Sequence, residues 1–468
     1  MKAQAEKSAE LDRYDVESGF PTEEATQKAY DEADLARAIN AYKFFYPTVS
    51  GAAIIRGQIA TGLVPNKVLG IMDANPKQLG FTLNSDTPYG PALLDLSIGP
   101  IVVDLPPGPL IVVSFDVNQR WVADMGLPGP DAGKGAKHIL VGPDHSGDLP
   151  AEGYYIHRAS SNLQIVGIRS LPVNGDVPAA KARLTTVKFY PLDPNTEWAE
   201  PEWLDLTEVE QDGTPLAYED KFQYWEVLKE TLDSEPPYAG YRNYYGELAS
   251  LGIEKGKPFD PDPRMKGILE RAAKDGLAQM RAQGFADRRP DRVVWTDRTW
   301  EWASLRYEDG DFNTSYFMDT TAREKWFYQA IAASPAMFRR DTKAGSLYWL
   351  GLRDNNGTYL DGGKSYRLTV PLPVPGKLFW SLTVYDAATR SQIRTDQNKA
   401  ALRSLQELRD LGAASLVDLY FGPEAPKGQE DRWIKTSPVK GWFTYFRIYG
   451  PEEAAFDKSW KPGDFELI

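Results

Sequence analysis

Apolar positions change their period three times along the chain. Leu35, Ile39, Tyr42 and Tyr46 recur at intervals of 4, 3 and 4, one face of a helix, and Phe45 widens the stripe. Thr22 stands as the N-cap, with Glu23 and Glu24 in a first turn where the helix dipole favours acids. Pro47 is expected to end this helix, with a second from about Gly51 to Gly62 and Pro65 beyond it. From about residue 80 the period shortens. Ala92–Ile98, Ile101–Leu105, Leu110–Asp116, Ala136–Val141, Gly153–His157 and Leu163–Arg169 read as strands between Gly-, Pro- and Asn-rich turns. That is the pattern of an antiparallel β-sandwich or barrel. Residues from about 195 to 340 turn helical and aromatic, with helices expected over Tyr218–Leu232, Tyr241–Leu251, Arg264–Gln283 and Thr320–Ala333. Strands return at Tyr348–Leu352, Tyr366–Val370, Leu378–Asp386, Leu416–Phe421 and Gly441–Tyr449, with a helical insertion expected at Gln397–Leu411. The fold class is therefore α+β and multidomain: a helical segment at 1–75 behind a polar lead-in, a β domain at 76–195, a helical middle at 196–345 and a second β domain at 346–468.

Composition narrows the function. The 468 residues carry a net charge of −13, which disfavours nucleic acid or an anionic membrane surface as partner. No run of 18 apolar residues suggests a membrane span, and the N-terminus lacks a secretory pattern. The expected location is cytoplasmic, or periplasmic if a signal peptide has been removed. Cysteine is absent, which removes disulfides, thiolate nucleophiles and cysteine-held metal clusters. Only His138, His145 and His157 remain for imidazole chemistry. Their spacing forms no compact ligand pair on a helix, although His138 and His157 could meet across a sheet; no metal and no cofactor is expected.

Familiar motifs fail. Gly129-Pro130-Asp131-Ala132-Gly133-Lys134-Gly135 is one residue short of a phosphate loop and lacks its hydroxyl. Asp309-Gly310-Asp311-Phe312-Asn313 begins like a calcium loop but has Thr314 for the turn glycine and Thr320 for the bidentate Glu. No nucleophile elbow, His-Glu-x-x-His or dinucleotide fingerprint exists.

Two polar segments remain. Asn84-Ser85-Asp86-Thr87-Pro88-Tyr89 collects an amide, hydroxyls, a carboxylate and a phenol just before a strand. Asp116-Val117-Asn118-Gln119-Arg120-Trp121 ends the apolar run Leu110–Phe115. Asp86 and Asp116, if desolvated, could serve as acid or base, and Tyr89 as proton donor. Arg120 and Lys134 could hold an anion, Trp121 could stack on a ring, and Asn84 and Asn118 could orient a substrate. Turn and capping chemistry accounts for the same residues.

Asn84–Tyr89 and Gly129–Gly135 resemble the signature of domain of unknown function 1254. Asp361-Gly362, Tyr366, Phe379–Asp386 and Arg447-Ile448-Tyr449-Gly450-Pro451 resemble its companion, domain of unknown function 1214. The resemblance runs from about residue 40 to the end. It implies a helical N-terminal piece, a β-sandwich, a helical middle and a jelly-roll-like C-terminal β-sandwich. It also implies a frequent export signal, which this sequence does not show, and no particular activity.

Two functions follow as expectations. One is a cofactor-independent enzyme on a small organic molecule, hydrolase or lyase in type, in a chain that could form homo-oligomers. Its acid, base and anion-holding groups should then converge on one enclosed hollow. The other is a non-catalytic carbohydrate- or envelope-binding protein, with Trp433, Trp442 and Trp460 as a sugar platform.

Overall fold

A computed structural model of the chain describes residues 14–73, 75–211, 218–306 and 308–468. Most of the polar lead-in, residues 1–13, lies outside the described residues. The chain divides into two compact units, Met1–Tyr46 with Ala217–Gln279, and Pro47–Leu216 with Met280–Ile468.

Seven helices carry labels here: α1 Glu23–Ala60, α2 Val177–Leu184, α3 Gln223–Ser234, α4 Arg242–Ser250, α5 Pro263–Phe285, α6 Thr320–Gln329 and α7 Pro335–Phe338. The first unit is an aromatic helical assembly. The N-terminal part of α1 starts where Thr22 Oγ1 accepts from Ala25 N at 3.2 Å, the expected cap. Tyr42 and Tyr46 are fully buried. Tyr42 donates to the Glu219 carbonyl at 2.7 Å and lies 4.1 Å from the Tyr224 ring, while Tyr46 bonds the Glu219 carboxylate. Trp225 on α3 donates to Leu269 O at 2.8 Å, tying α3 to α5.

Pro47 does not end the first helix: α1 runs through it for 38 residues. A proline removes one helical donor and normally kinks or stops a helix. Here the cost is offset by burial, because residues 44–53 are buried without a break. The Pro47 carbonyl also accepts from Gln119 Nε2 at 2.8 Å.

The first unit also has a two-stranded hairpin, Val16–Glu17 with Phe20–Pro21. The larger sheets lie in the second unit. Its strands are β1 Val68–Ile71, β2 Tyr89–Asp95, β3 Ile101–Leu105, β4 Leu110–Asp116, β5 Trp121–Gly126, β6 Ala136–Val141, β7 Tyr155–Arg158, β8 Leu163–Ser170, β9 Lys188–Pro191 and β10 Glu202–Asp205. After the helical middle come β11 Glu301–Trp302, β12 Ser346–Gly351, β13 Tyr366–Pro371, β14 Gly376–Asp386, β15 Ala401–Arg403, β16 Leu416–Gly422, β17 Trp433–Lys435, β18 Trp442–Pro451 and β19 Glu466–Leu467. Pairing is mostly antiparallel, with parallel contacts at β1–β10, β6–β7 and β16–β17.

In the first β region the sheets run β2-β8-β4-β5 and β9-β3-β6-β7. Leu94, Val112, Met125, Val166 and Ile168 of one meet Val103, Leu140 and Phe189 of the other in a single apolar core. In the C-terminal region the sheets run β11-β12-β18-β14-β15 and β17-β16-β13-β19. Trp349, Leu382, Phe446 and Ile448 there share a core with Leu368, Leu419 and Ile434.

Two local expectations are corrected. Residues 397–411 form β15 and turns, not a helix: Ala401 and Leu402 pair with Thr383 and Leu382, so an open sheet edge outweighs helix propensity. Helix α2 lies outside the expected helices, although Asp176 caps it through Ala179 N at 2.9 Å and Pro178 suits its first turn.

Gly126 ends β5 with φ +75°, and a Cβ there would lie 2.3 Å from Leu110 O. Gly126→Ala should therefore cost roughly 2 kcal/mol or more, read as a fall in thermal midpoint; an unchanged midpoint would contradict the contact.

Candidate functional site

A strand buried on both faces sends alternate side chains to two environments. In β8, Val166 and Ile168 enter the first core, while Ile165, Gly167 and Arg169 line a cavity on the other face. In β18, Phe446 and Ile448 enter the C-terminal core, while Tyr445 and Arg447 line the same cavity. Register completes the wall, since Arg447 stands opposite Tyr348 on β12 and Ser381 on β14, and Arg169 stands opposite Tyr89 on β2. The cavity, of about 160 Å³, thus lies against the non-core faces of two sheets of one unit. Ile54 and Gln58 of α1 and Trp326 and Met337 of the helical middle complete its lining. Gly167 leaves space because it has no side chain, and a Cβ there would touch only Val113 at 3.7 Å.

Most of the lining is apolar, and its charged members are two arginines. Arg169 is 8% exposed and Arg447 is 4% exposed. Arg169 donates from Nε to Thr87 Oγ1 at 2.9 Å and from Nη2 to Tyr449 OH at 3.2 Å. Its guanidinium lies 5.1 Å from the Tyr89 ring centre. Arg447 donates to Tyr385 OH at 2.7 Å, Thr383 Oγ1 at 3.2 Å and Thr82 O at 2.7 Å. The Tyr445 and Tyr348 rings flank it at 5.0 and 5.2 Å. Burial pushes the phenols of Tyr89, Tyr385, Tyr445 and Tyr449 upward, so they stay protonated donors.

The segment 84–89 is a partition. Asn84 and Tyr89 line the apolar cavity, whereas Ser85, Asp86, Thr87 and Pro88 line a neighbouring, more polar one of about 190 Å³ with Lys399 and Arg403. Asp86 is buried. Its Oδ2 accepts from Ser381 Oγ at 2.9 Å and its Oδ1 has no hydrogen-bond partner among the described residues. Desolvation raises its pKa, opposed by Arg447, Ser381, Arg169 and Arg403. Its backbone N–H also donates to Asn84 Oδ1 at 3.0 Å, so turn chemistry is present as well.

The second sequence candidate does not join the first. Asp116 Oδ1 accepts from Asn118 N and Arg120 N, both at 2.9 Å, and Ser160 Oγ donates to Oδ2. Arg120 forks onto Asp311 at 2.9 and 2.7 Å, and Asn118 Oδ1 accepts from Thr48 at 2.7 Å. Trp121 is partly exposed, at 38%. Asp116 and Arg120 line neither cavity, so Asp86, Asp116 and Arg120 do not share one hollow. The reason is local: the turn satisfies its own carboxylate. Gln119 is the member of this loop that reaches the apolar cavity. Lys134 is exposed in a loop pinned by Asp131, whose Oδ1 accepts from Gly126 N at 2.8 Å.

The histidines meet as a pair. His138 Nδ1 lies 3.0 Å from His157 Nε2 on the neighbouring strand, and His138 Nε2 lies 3.4 Å from Asp131. Among the described residues no cluster of three or more His, Asp or Glu could hold a metal. Desolvation lowers both imidazoles, His157 to about 4.

Residues 67–191 match the family described as "Protein of unknown function (DUF1254)", and residues 345–453 match "Protein of unknown function (DUF1214)". The chain joins a DUF1254 domain to a DUF1214 domain. DUF1254 supplies Asn84, Tyr89, Gly167 and Arg169 to the cavity, and DUF1214 supplies Tyr348, Tyr445 and Arg447. The fold resembles the crystal structure of the VPA0106 protein from Vibrio parahaemolyticus: TM-score 0.58, 16% identity, covering 93% of this chain and 100% of that one. An uncharacterized protein from Burkholderia cenocepacia matches at TM-score 0.38 and 11% identity over 94% and 96% of the two chains. No curated protein matches the sequence. No described helix is long and apolar enough to cross a membrane.

The His157 shift gives a pH test on the DUF1254 domain. Its folded pKa lies below the ordinary 6.5, so the unfolded chain binds more protons between the two values. Stability should hold above pH 6.5 and fall towards pH 4, by up to about 3 kcal/mol. Urea unfolding of His157→Gln should show a flatter profile in that window; an equal slope would count against the pair.

Proposed function

We propose that the protein holds a small organic molecule in the cavity bounded by the DUF1254 and DUF1214 strands. It acts on that molecule without a cofactor, by acid–base chemistry of hydrolase or lyase type. The observation carrying this reading is the cavity itself: an apolar lining with a few convergent polar groups, the form small-molecule sites take. Tyr89 is the proton donor of this reading. Its phenol makes no hydrogen bond to another described residue, lines the cavity and keeps its proton. Asp86, held towards its neutral form beside Ser381, faces the neighbouring polar cavity, so in this reading it positions the segment that carries Tyr89. The same reading takes each pair of sheets as a jelly-roll-like sandwich, supported by the core that each pair shares.

The carbohydrate alternative has less support. Trp442 is buried against Tyr366 and Phe421, and Trp460 lies 5.9 Å from Trp349, so these rings fill a core and offer no open platform.

A panel of ester, lactone, epoxide and sulfate-ester substrates tests the proposal. Wild type should turn over at least one class. Tyr89→Phe should lower kcat by about 100-fold, the usual scale of a lost general acid, and Asp86→Asn by less. Gly167→Val should abolish turnover by filling the cavity, with the thermal midpoint nearly unchanged because the first added carbon is in ordinary contact. Equal turnover by all variants would remove the assignment.

A further inference from the structure

We infer that the cavity selects an organic monoanion: a single-ring or short-chain acid whose carboxylate or sulfonate head lies against Arg169 and Arg447. This rests on the small-molecule reading above and adds its substrate class.

Charge identifies the ligand class. Arg169 and Arg447 are the charged residues of the lining, and neither has a carboxylate within ion-pair distance among the described residues. The carboxylate that acts on both is Asp86, which is bonded to Ser381. Arg403, the third cation acting on Asp86, is already forked onto Glu407. Two guanidiniums against one carboxylate leave a surplus of one positive charge if Asp86 is ionised, and of two if it is protonated. The tyrosine faces stabilise these cations but do not neutralise them. Buried charges that serve only structure are ordinarily paired, and here the missing counter-charge is the ligand's.

Free donors point the same way. Arg169 Nη1, Arg447 Nε and Tyr89 OH make no hydrogen bond to a described residue, while the other guanidinium nitrogens are engaged. A guanidinium keeps its proton under all ordinary conditions, so the site offers donors and no anionic acceptor. The volume limits the body. A cavity of about 160 Å³ compares with the roughly 150 Å³ apolar cavity that admits benzene. One aromatic ring, or a chain of similar bulk, fits.

Calorimetric titration of the full chain with benzoate, benzenesulfonate, benzyl alcohol and benzylamine tests the inference. One of the two anions should bind about 10- to 100-fold more tightly than benzyl alcohol, the range of a charge-assisted hydrogen bond, with benzylamine weakest. The better anion identifies the head group. In Arg169→Gln the preference for acid over alcohol should vanish while alcohol affinity holds; Arg169→Lys should recover part of it. If Arg169→Gln does not fold, the wild-type ranking still decides. Alcohol bound as tightly as both acids overturns the anion class and leaves the cavity reading standing. No binding by any probe, with turnover untouched in Gly167→Val, overturns both.

Discussion

The Arg447 guanidinium sits on the middle strand of the five-stranded sheet and is almost wholly buried. It is tolerated because three acceptors meet it there, the Tyr385 and Thr383 hydroxyls and the Thr82 carbonyl, and because phenol rings cover its faces. Two of these acceptors belong to its own sheet and the third to the strip of chain that enters the first β region. The interaction that settles one charge therefore also docks the strip carrying Asn84, Asp86 and Tyr89 against the C-terminal strands. Tyr385 repeats the link by donating to the Leu83 carbonyl at 3.0 Å.

This arrangement explains the layout of both domains. Each has two sheets around one core, and in each the sheet turned from solvent is buried on its second face as well. Alternation along β8 and β18 then divides the side chains between oil-like packing and polar function, with no insertion or special loop. Gly167 is where that division leaves space, and the arginines are where it leaves charge. The chain's own excess of acids does not reach this surface.

Much of this was legible from pattern. The strands Ile101–Leu105, Leu110–Asp116 and Ala136–Val141 have the bounds that period and turns predict, because those residues alternate or run apolar between breakers. Segment 84–89, a polar concentration in the sequence, does lie where a strand begins, at Tyr89. Other features depend on contacts that local spacing does not encode. Pro47 reads as a stop because local rules ignore the burial around it. Asp116 to Arg120 reads as a site because a self-satisfied turn and a catalytic cluster use the same residue types. Arg169 looks like the end of a strand, and Arg447 stands out in the sequence only as part of a family motif. Yet a charged residue within an otherwise apolar strand was the available signal. Its meaning depends on partners such as Tyr449, 280 positions from Arg169, which no window along the chain can place.

The divided ownership of the charged wall has an evolutionary consequence. A gene fragment encoding one domain would retain its oily interior but carry half a socket, with a single guanidinium facing solvent. Recombination that shuffled either domain onto an unrelated neighbour would break this shared wall while sparing the cores. A wall shared in this way makes the two domains one heritable unit, and substitutions at 169 and 447 should be answered across the pair.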